Sequence, residues 1–151
     1  MKFKFPLQKV LDHRKIKEDL AQKEFQEAVM ALNELNAKLA EMEKAVHQAH
    51  LQLGTLQEQG GAQGPALSQV DEFIINQKLL IQRQKVKIQQ QQKVVEDKRD
   101  LLRQAAVETK IISRFKEKKF AEYEEIQEKE EQKDMDEQSL LRFKTADRKK
   151  A

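Results

Sequence analysis

His47 and His50 come nearest, by type and spacing, to residues that could do chemistry. They lie three positions apart, so on a helix they share one face and could in principle hold one metal ion. A stable metal site needs further protein ligands, and none is evident nearby, since His13 is remote in sequence and the chain has no cysteine. We interpret the pair as surface histidines and expect no metal and no other cofactor.

Sequence signatures of catalysis are absent as well. The 151 residues contain no glycine-rich phosphate-binding loop, no His-Glu-x-x-His motif and no nucleophile beside a base. We therefore predict that the protein is not an enzyme and that its function lies in its surfaces.

A basic run in mid-chain, from Lys78 to Lys93, could contact phosphates, because clustered lysine and arginine release counterions from nucleic acid. Basic-region zippers, however, carry an arginine-rich segment just before a parallel zipper. Here the basic residues alternate with glutamines inside a heptad repeat. We therefore predict no nucleic-acid binding.

The elements that carry these residues are long helices. Aromatic residues make up 5% of the chain and charged residues 36%, a balance typical of long helices rather than of a globular core. A seam residue recurs alternately four and three positions apart, which is the repeat of a left-handed coiled coil. This first seam is Leu7, Leu11, Arg14, Glu18, Ala21, Phe25, Ala28, Leu32, Leu35, Leu39, Met42, Val46, Ala49, Leu53 and Leu56.

A turn divides the chain, because three glycines and a proline fall between Gln59 and Pro65. The fold class predicted is all-α: a long antiparallel two-helix coiled-coil hairpin with an overhanging C-terminal helix, forming one domain over residues 1–151. We expect helix 1 at about 5–58, the turn at about 59–65, helix 2 at about 66–145, and the overhang from about 118. The second seam is Ile74, Gln77, Ile81, Gln84, Ile88, Gln91, Val95, Lys98, Leu102, Ala105 and Ile112.

The overhang has no internal helix to cover its apolar side chains. Most helical stability comes from packing, so we expect this segment to be frayed in the free protein and ordered by a partner. The residues expected to lack an internal partner are Tyr123, Ile126, Met135, Leu140, Leu141 and Phe143.

Two sets of residues have both a structural and a functional interpretation. Arg14 and Glu18 are charged residues within the first seam, where the helix end either frays or meets a partner protein that supplies the missing contacts. A line along one side of helix 2 is either ordinary flank packing or a docking stripe. That line is Phe73, Gln77, Leu80 and Gln84.

The sequence has no apolar run long enough for a signal peptide or a membrane-spanning helix. We expect a cytoplasmic protein without direct membrane insertion.

The two ends of the chain resemble a known family. The opening of the chain is similar to the N-terminal signature of the FliJ family of flagellar type III export proteins. It reads Phe3-x-Phe5-x-Leu7-Gln8-x-Val10-Leu11-x-x-Arg14, followed by Glu18, Ala21 and Gln22. Near the other end, Gln132-Lys133-Asp134-Met135-Asp136-Glu137 resembles that family's lysine-rich Met-Asp-Glu segment. Length, turn placement and helix asymmetry extend the resemblance over nearly the whole chain.

This resemblance implies a stalk component of the flagellar export apparatus, located peripherally at the inner membrane and similar in shape to the central stalk of rotary ATPases. The partners it implies are the hexameric flagellar export ATPase, the cytoplasmic domain of the export gate membrane protein, and export chaperones. The implied ATPase-ring contacts are Leu7, Leu11, Arg14, Glu18, Met135, Asp136 and Glu137. The implied export-gate contacts are Phe73, Gln77, Leu80 and Gln84.

An alternative remains open. The chain could be a structural spacer or an export-chaperone-binding coiled coil of a type III secretion system, with no direct ATPase role. The injectisome stalk proteins share the expected shape, and the N-terminal signature favours the flagellar branch.

Overall fold

The structure is a computed structural model that describes residues 2–60 and 64–150, with Lys150 described by its backbone alone. It contains two helices, α1 (Gln8–Glu58) and α2 (Gly64–Lys150), and no strand within these described ranges. The all-α prediction is therefore confirmed. The predicted turn falls partly on Gly61, Ala62 and Gln63, which lie outside the described residues.

Local chemistry accounts for the helix ends. Phe5 precedes Pro6, and a residue before proline is disfavoured in helical backbone, so α1 begins only at Gln8. At the other end of α1, Gly60 has a φ of 90°, a left-handed conformation that glycine adopts without steric cost. Gly64 and Pro65 form the first residues of α2, where the missing N–H of proline leaves no helical hydrogen bond unmade.

The described residues pack as two units. Unit 1 comprises residues 2–17 with residues 105–150, and unit 2 comprises Glu18–Gln104. Each unit contains a stretch of α1 packed against a stretch of α2.

In unit 2 the two stretches run antiparallel. The side-chain amide of Gln84 donates a hydrogen bond to the carbonyl of Leu35 at 2.9 Å, and that of Gln91 donates to the carbonyl of Ala28 at 3.0 Å. A step of seven residues forward on α2 is thus a step of seven residues back on α1, as the predicted antiparallel pairing requires. The buried apolar side chains of this unit are Ala28, Ala49, Ile74, Ile81, Ile88 and Val95.

Polar residues in the second seam are accommodated in three ways. Gln84 and Gln91 donate to backbone carbonyls of α1, whereas Lys98 lies 3.2 Å from a carboxylate oxygen of Glu24. The Oε1 atom of Gln77 is buried and has no hydrogen-bond partner among the residues that the structure describes, an arrangement that costs on the order of 1–3 kcal/mol. The polar seam therefore weakens unit 2 at one position and fixes its register at two others.

In unit 1 the N-terminal segment before α1 packs on α2 through aromatic rings. The ring of Phe3 lies 5.3 Å from that of Phe120 and 5.5 Å from that of Tyr123, and Phe5 lies 5.9 Å from Phe115. These separations are typical of stabilising aromatic pairs. The aromatic cluster therefore fixes the residues that precede α1.

Candidate functional site

The expected seam positions from Leu11 to Leu56, and those from Ile74 to Ile112, are all buried or half-buried. Leu7 is the exception, because it precedes α1 and is 38% exposed. Its expected place in the seam is therefore wrong. Phe5, buried against Phe115, takes that place, since the chain before Gln8 is not helical and the heptad spacing does not apply there.

Leu11 and Arg14 lie within the packing of unit 1. Leu11 is 1% exposed, so its side chain packs inside the unit and presents no surface to a partner. Arg14 is half-buried, and its guanidinium Nη1 donates to the backbone carbonyl of Glu108 at 3.2 Å. Unit 1 itself therefore satisfies part of the Arg14 side chain, which the sequence left to fraying or to an external partner.

Thr109 completes this contact and was missed by sequence reasoning. Its hydroxyl lies 3.2 Å from the carbonyl oxygen of Arg14 and 3.0 Å from that of Ala105, and its single proton can serve one acceptor at a time. The predicted second seam goes directly from Ala105 to Ile112, a step of seven residues. Alternating steps of four and three would have placed Thr109 between them. The two helices are thus joined at this level by polar contacts in both directions.

Glu18 lies in unit 2 and is half-buried. Its carboxylate forms no ion pair within the part of the chain that the structure describes. Of the two charged residues in the first seam, Arg14 is therefore bonded across the helices, whereas Glu18 has no ion-pair partner among the described residues.

The C-terminal end of α2 is bare helix. Every side chain from residue 128 to residue 149, here called the bare segment, is exposed, although α2 continues without a break to Lys150. Met135 is 63% exposed, and Asp136 accepts a hydrogen bond from Gln132 of the same helix, at 3.2 Å. The other large apolar side chains exposed here are Leu140, Leu141 and Phe143, at 60–67%.

The bare segment is also polarised in charge. Acidic residues predominate up to Glu137, and basic residues predominate from Arg142 onward. Basic side chains at a helix C-terminus favour the helix, because they offset the negative end of its dipole. The lack of packing predicts fraying here, whereas the structure has helix throughout. Fast hydrogen exchange in the free protein stays a prediction.

The four residues of the expected gate stripe separate into two pairs in unit 2. Phe73 and Leu80 are 41% and 40% exposed and lie at the flank of the seam. Gln84 is 2% exposed with its amide on the carbonyl of Leu35, and Gln77 is half-buried. The structure therefore offers only the apolar pair to a partner, because the heptad position that carries the glutamines faces α1.

A groove of about 360 Å³ lies beside Phe73. Its walls include Ala45 and Ala49 of α1 and Val70 of α2. The small alanine side chains leave room that a leucine or methionine at the same positions would fill. Glutamine side chains also line the groove, so the exposed ring of Phe73 lies among both small apolar and amide side chains. These glutamines are Gln48, Gln52 and Gln69.

Two further expectations concern metals and membranes. Within residues 2–60 and 64–150, no cluster of histidine, cysteine, aspartate or glutamate is placed to hold a metal ion, and both His47 and His50 are exposed. Among the helices over the same described residues, none is long and apolar enough to cross a bilayer.

The family-model comparison matches residues 3–148 to the flagellar FliJ protein family. No match to the chain is found among curated proteins or among solved structures. The family match covers both terminal motifs together with the helices between them, and this family is a non-enzymatic component of flagellar protein export. The chain therefore belongs to the flagellar FliJ family.

Proposed function

We propose that this chain is a stalk and adaptor of the flagellar export apparatus, which inserts its N- and C-terminal end into the hexameric export ATPase and links that ring to the export gate. The observation that carries the proposal is the bare segment. In the bare segment, leucine, methionine and phenylalanine side chains are exposed, and no other described residue of unit 1 covers them. A helix in a protein gains most of its stability from packing against a neighbour, and a partner surface that covers these side chains would supply that packing.

The ring contact is proposed to involve Met135, Asp136 and Glu137, which are all exposed on the bare segment. Leu11 contributes indirectly, because its buried side chain holds α1 against α2 in the same unit. The aromatic cluster supports the contact in the same way, by fixing the chain before α1. Export chaperones remain proposed partners on the strength of the family alone.

The gate contact is proposed to centre on Phe73 and Leu80. Both are exposed, and the groove beside Phe73 can receive an apolar side chain from the gate protein. Gln84 acts in this proposal only by holding the register of unit 2 through Leu35. The proposed location is peripheral, on the cytoplasmic side of the inner membrane.

The proposed ring contact is tested by ATP hydrolysis. Adding the full-length protein to the purified flagellar export ATPase is expected to raise the hydrolysis rate. Replacing Asp136 and Glu137 by lysine is expected to abolish that increase, because the charge of the contact is reversed.

The matched control carries the same two substitutions at Glu41 and Glu43, exposed acidic residues of α1 in unit 2. It should stimulate hydrolysis like the unaltered protein. Equal loss in both variants would mean that net charge rather than the ring contact is being measured. Absence of stimulation by the unaltered protein would instead favour the spacer or chaperone-binding role.

A further inference from the structure

The outward side of α2 in unit 2 carries an unusual charge pattern. From Phe73 to Val95 the sequence contains five basic residues and no acidic residue. All five are exposed, and none forms an ion pair within the described part of the chain. They are Lys78, Arg83, Lys85, Lys87 and Lys93.

Exposed aliphatic side chains run between these basic residues. Ile75, Leu79 and Val86 are 66%, 54% and 51% exposed. Their spacing of four and seven residues places them on one face of α2, away from the seam residues Ile74 and Ile81. The outer side of α2 is therefore an apolar line with positive charge on both flanks, here called the basic face.

The other helix of unit 2 has no such surface. The stretch of α1 that pairs with this part of α2 includes three exposed lysines, but acidic residues are interspersed among them. These lysines are Lys23, Lys38 and Lys44, and the acidic residues are Glu24, Glu27, Glu34, Glu41 and Glu43. The positive field of unit 2 is thus concentrated on one of its two helices.

We propose that the basic face binds the surface of an anionic phospholipid bilayer. Lysine and arginine on an amphipathic helix attract anionic headgroups, and their long stems allow aliphatic neighbours to reach the boundary between headgroups and acyl chains. Nucleic acid would match the charge but would leave Ile75, Leu79 and Val86 exposed to water. The observed combination of free cations and exposed aliphatic side chains therefore favours a bilayer surface.

The contact is an adsorption onto the membrane, since no helix of the described residues is apolar enough to span it. Three aliphatic side chains bury little area, so binding is reversible and weakens as salt screens the charges. This inference does not depend on the ATPase contact. Phe73 and Leu80 lie at the seam flank, outside the apolar line, so the gate contact can be altered separately.

The test is cosedimentation of the full-length protein with vesicles of phosphatidylcholine alone or with about 30% phosphatidylglycerol, at about 50 mM salt and about 500 mM salt. We expect binding to the anionic vesicles at low salt, and much weaker binding at high salt or without the anionic lipid. Lys78→Gln, Lys85→Gln and Lys93→Gln together should weaken binding about tenfold or more. Ile75→Gln, Leu79→Gln and Val86→Gln should weaken it with the charges intact.

The matched control carries Lys23→Gln, Lys38→Gln and Lys44→Gln on α1. It removes an equal number of positive charges, also from exposed positions of unit 2. It should bind vesicles like the unaltered protein, with helix content checked by circular dichroism for every variant. Equal weakening by both lysine variants, or no binding to the anionic vesicles, would overturn the proposal. Tighter binding to double-stranded DNA than to the vesicles at the same salt would also overturn it and assign the basic face to nucleic acid.

Discussion

Deleting residues 128–151 is expected to abolish binding to the flagellar export ATPase and to leave the unfolding transition of the remaining chain nearly unchanged. Every described side chain from 128 to 149 is exposed, so their removal takes away no packing within unit 1. The exposed Met135, Leu140 and Phe143, which the proposed contact buries, are lost with them. Pull-down with the purified ATPase and thermal unfolding followed by circular dichroism measure the two effects.

The cut after residue 127 is chosen because Phe120 and Tyr123 hold Phe3 in the aromatic cluster. A chain ending at residue 117 would lose both rings, and a binding defect could then come from the N-terminal segment. Comparing the two truncations separates these causes. Unchanged ATPase binding by the chain that ends at residue 127 would mean that the bare segment makes no ring contact.

Leu11→Ala is expected to lower the free energy of unfolding of the protein by about 3 kcal/mol, within the range of 2–5 kcal/mol typical of buried leucine. Leu11 is 1% exposed, and alanine in its place leaves a cavity between α1 and α2 in unit 1. Urea unfolding followed by circular dichroism measures the change.

Ile16→Ala is the matched control, because Ile16 lies on the same helix and is 68% exposed. It should change the free energy of unfolding by less than about 1 kcal/mol. Leu11→Ala should weaken ATPase binding only under conditions where unit 1 unfolds. A variant that unfolds like the unaltered protein but fails to bind would assign Leu11 a direct contact instead.

The heptad spacing predicted the seams of unit 2, because two long helices bury the stripe that recurs every seven residues. The glycine- and proline-rich turn predicted the antiparallel pairing, because a short loop makes consecutive helices antiparallel neighbours. The same spacing could not place the residues before Gln8. Pro6 keeps the preceding backbone out of the helix, and Phe3 and Phe5 then pack by ring shape rather than by helical period.

The functional residues were harder to predict than the fold. A glutamine at a seam position can point to solvent or bond across the seam, and the sequence alone does not distinguish these outcomes for Gln77 and Gln84. The structure settles the side-chain geometry: Gln84 bonds to Leu35, and Gln77 leaves a buried oxygen unpaired. Arg14 shows the same limit, since its partner is a backbone carbonyl, which every residue has and no sequence pattern marks.

The proposed position of this chain in the ATPase ring is tested most directly by site-specific photocrosslinking in flagellated cells. A photoreactive residue at Met135 is compared with one at Met30, because the two side chains are 63% and 62% exposed and lie on different helices in different units. The proposed function predicts a crosslink to the export ATPase from position 135 and none from position 30. Crosslinks to the ATPase from both positions alike, or from position 30 alone, would contradict it.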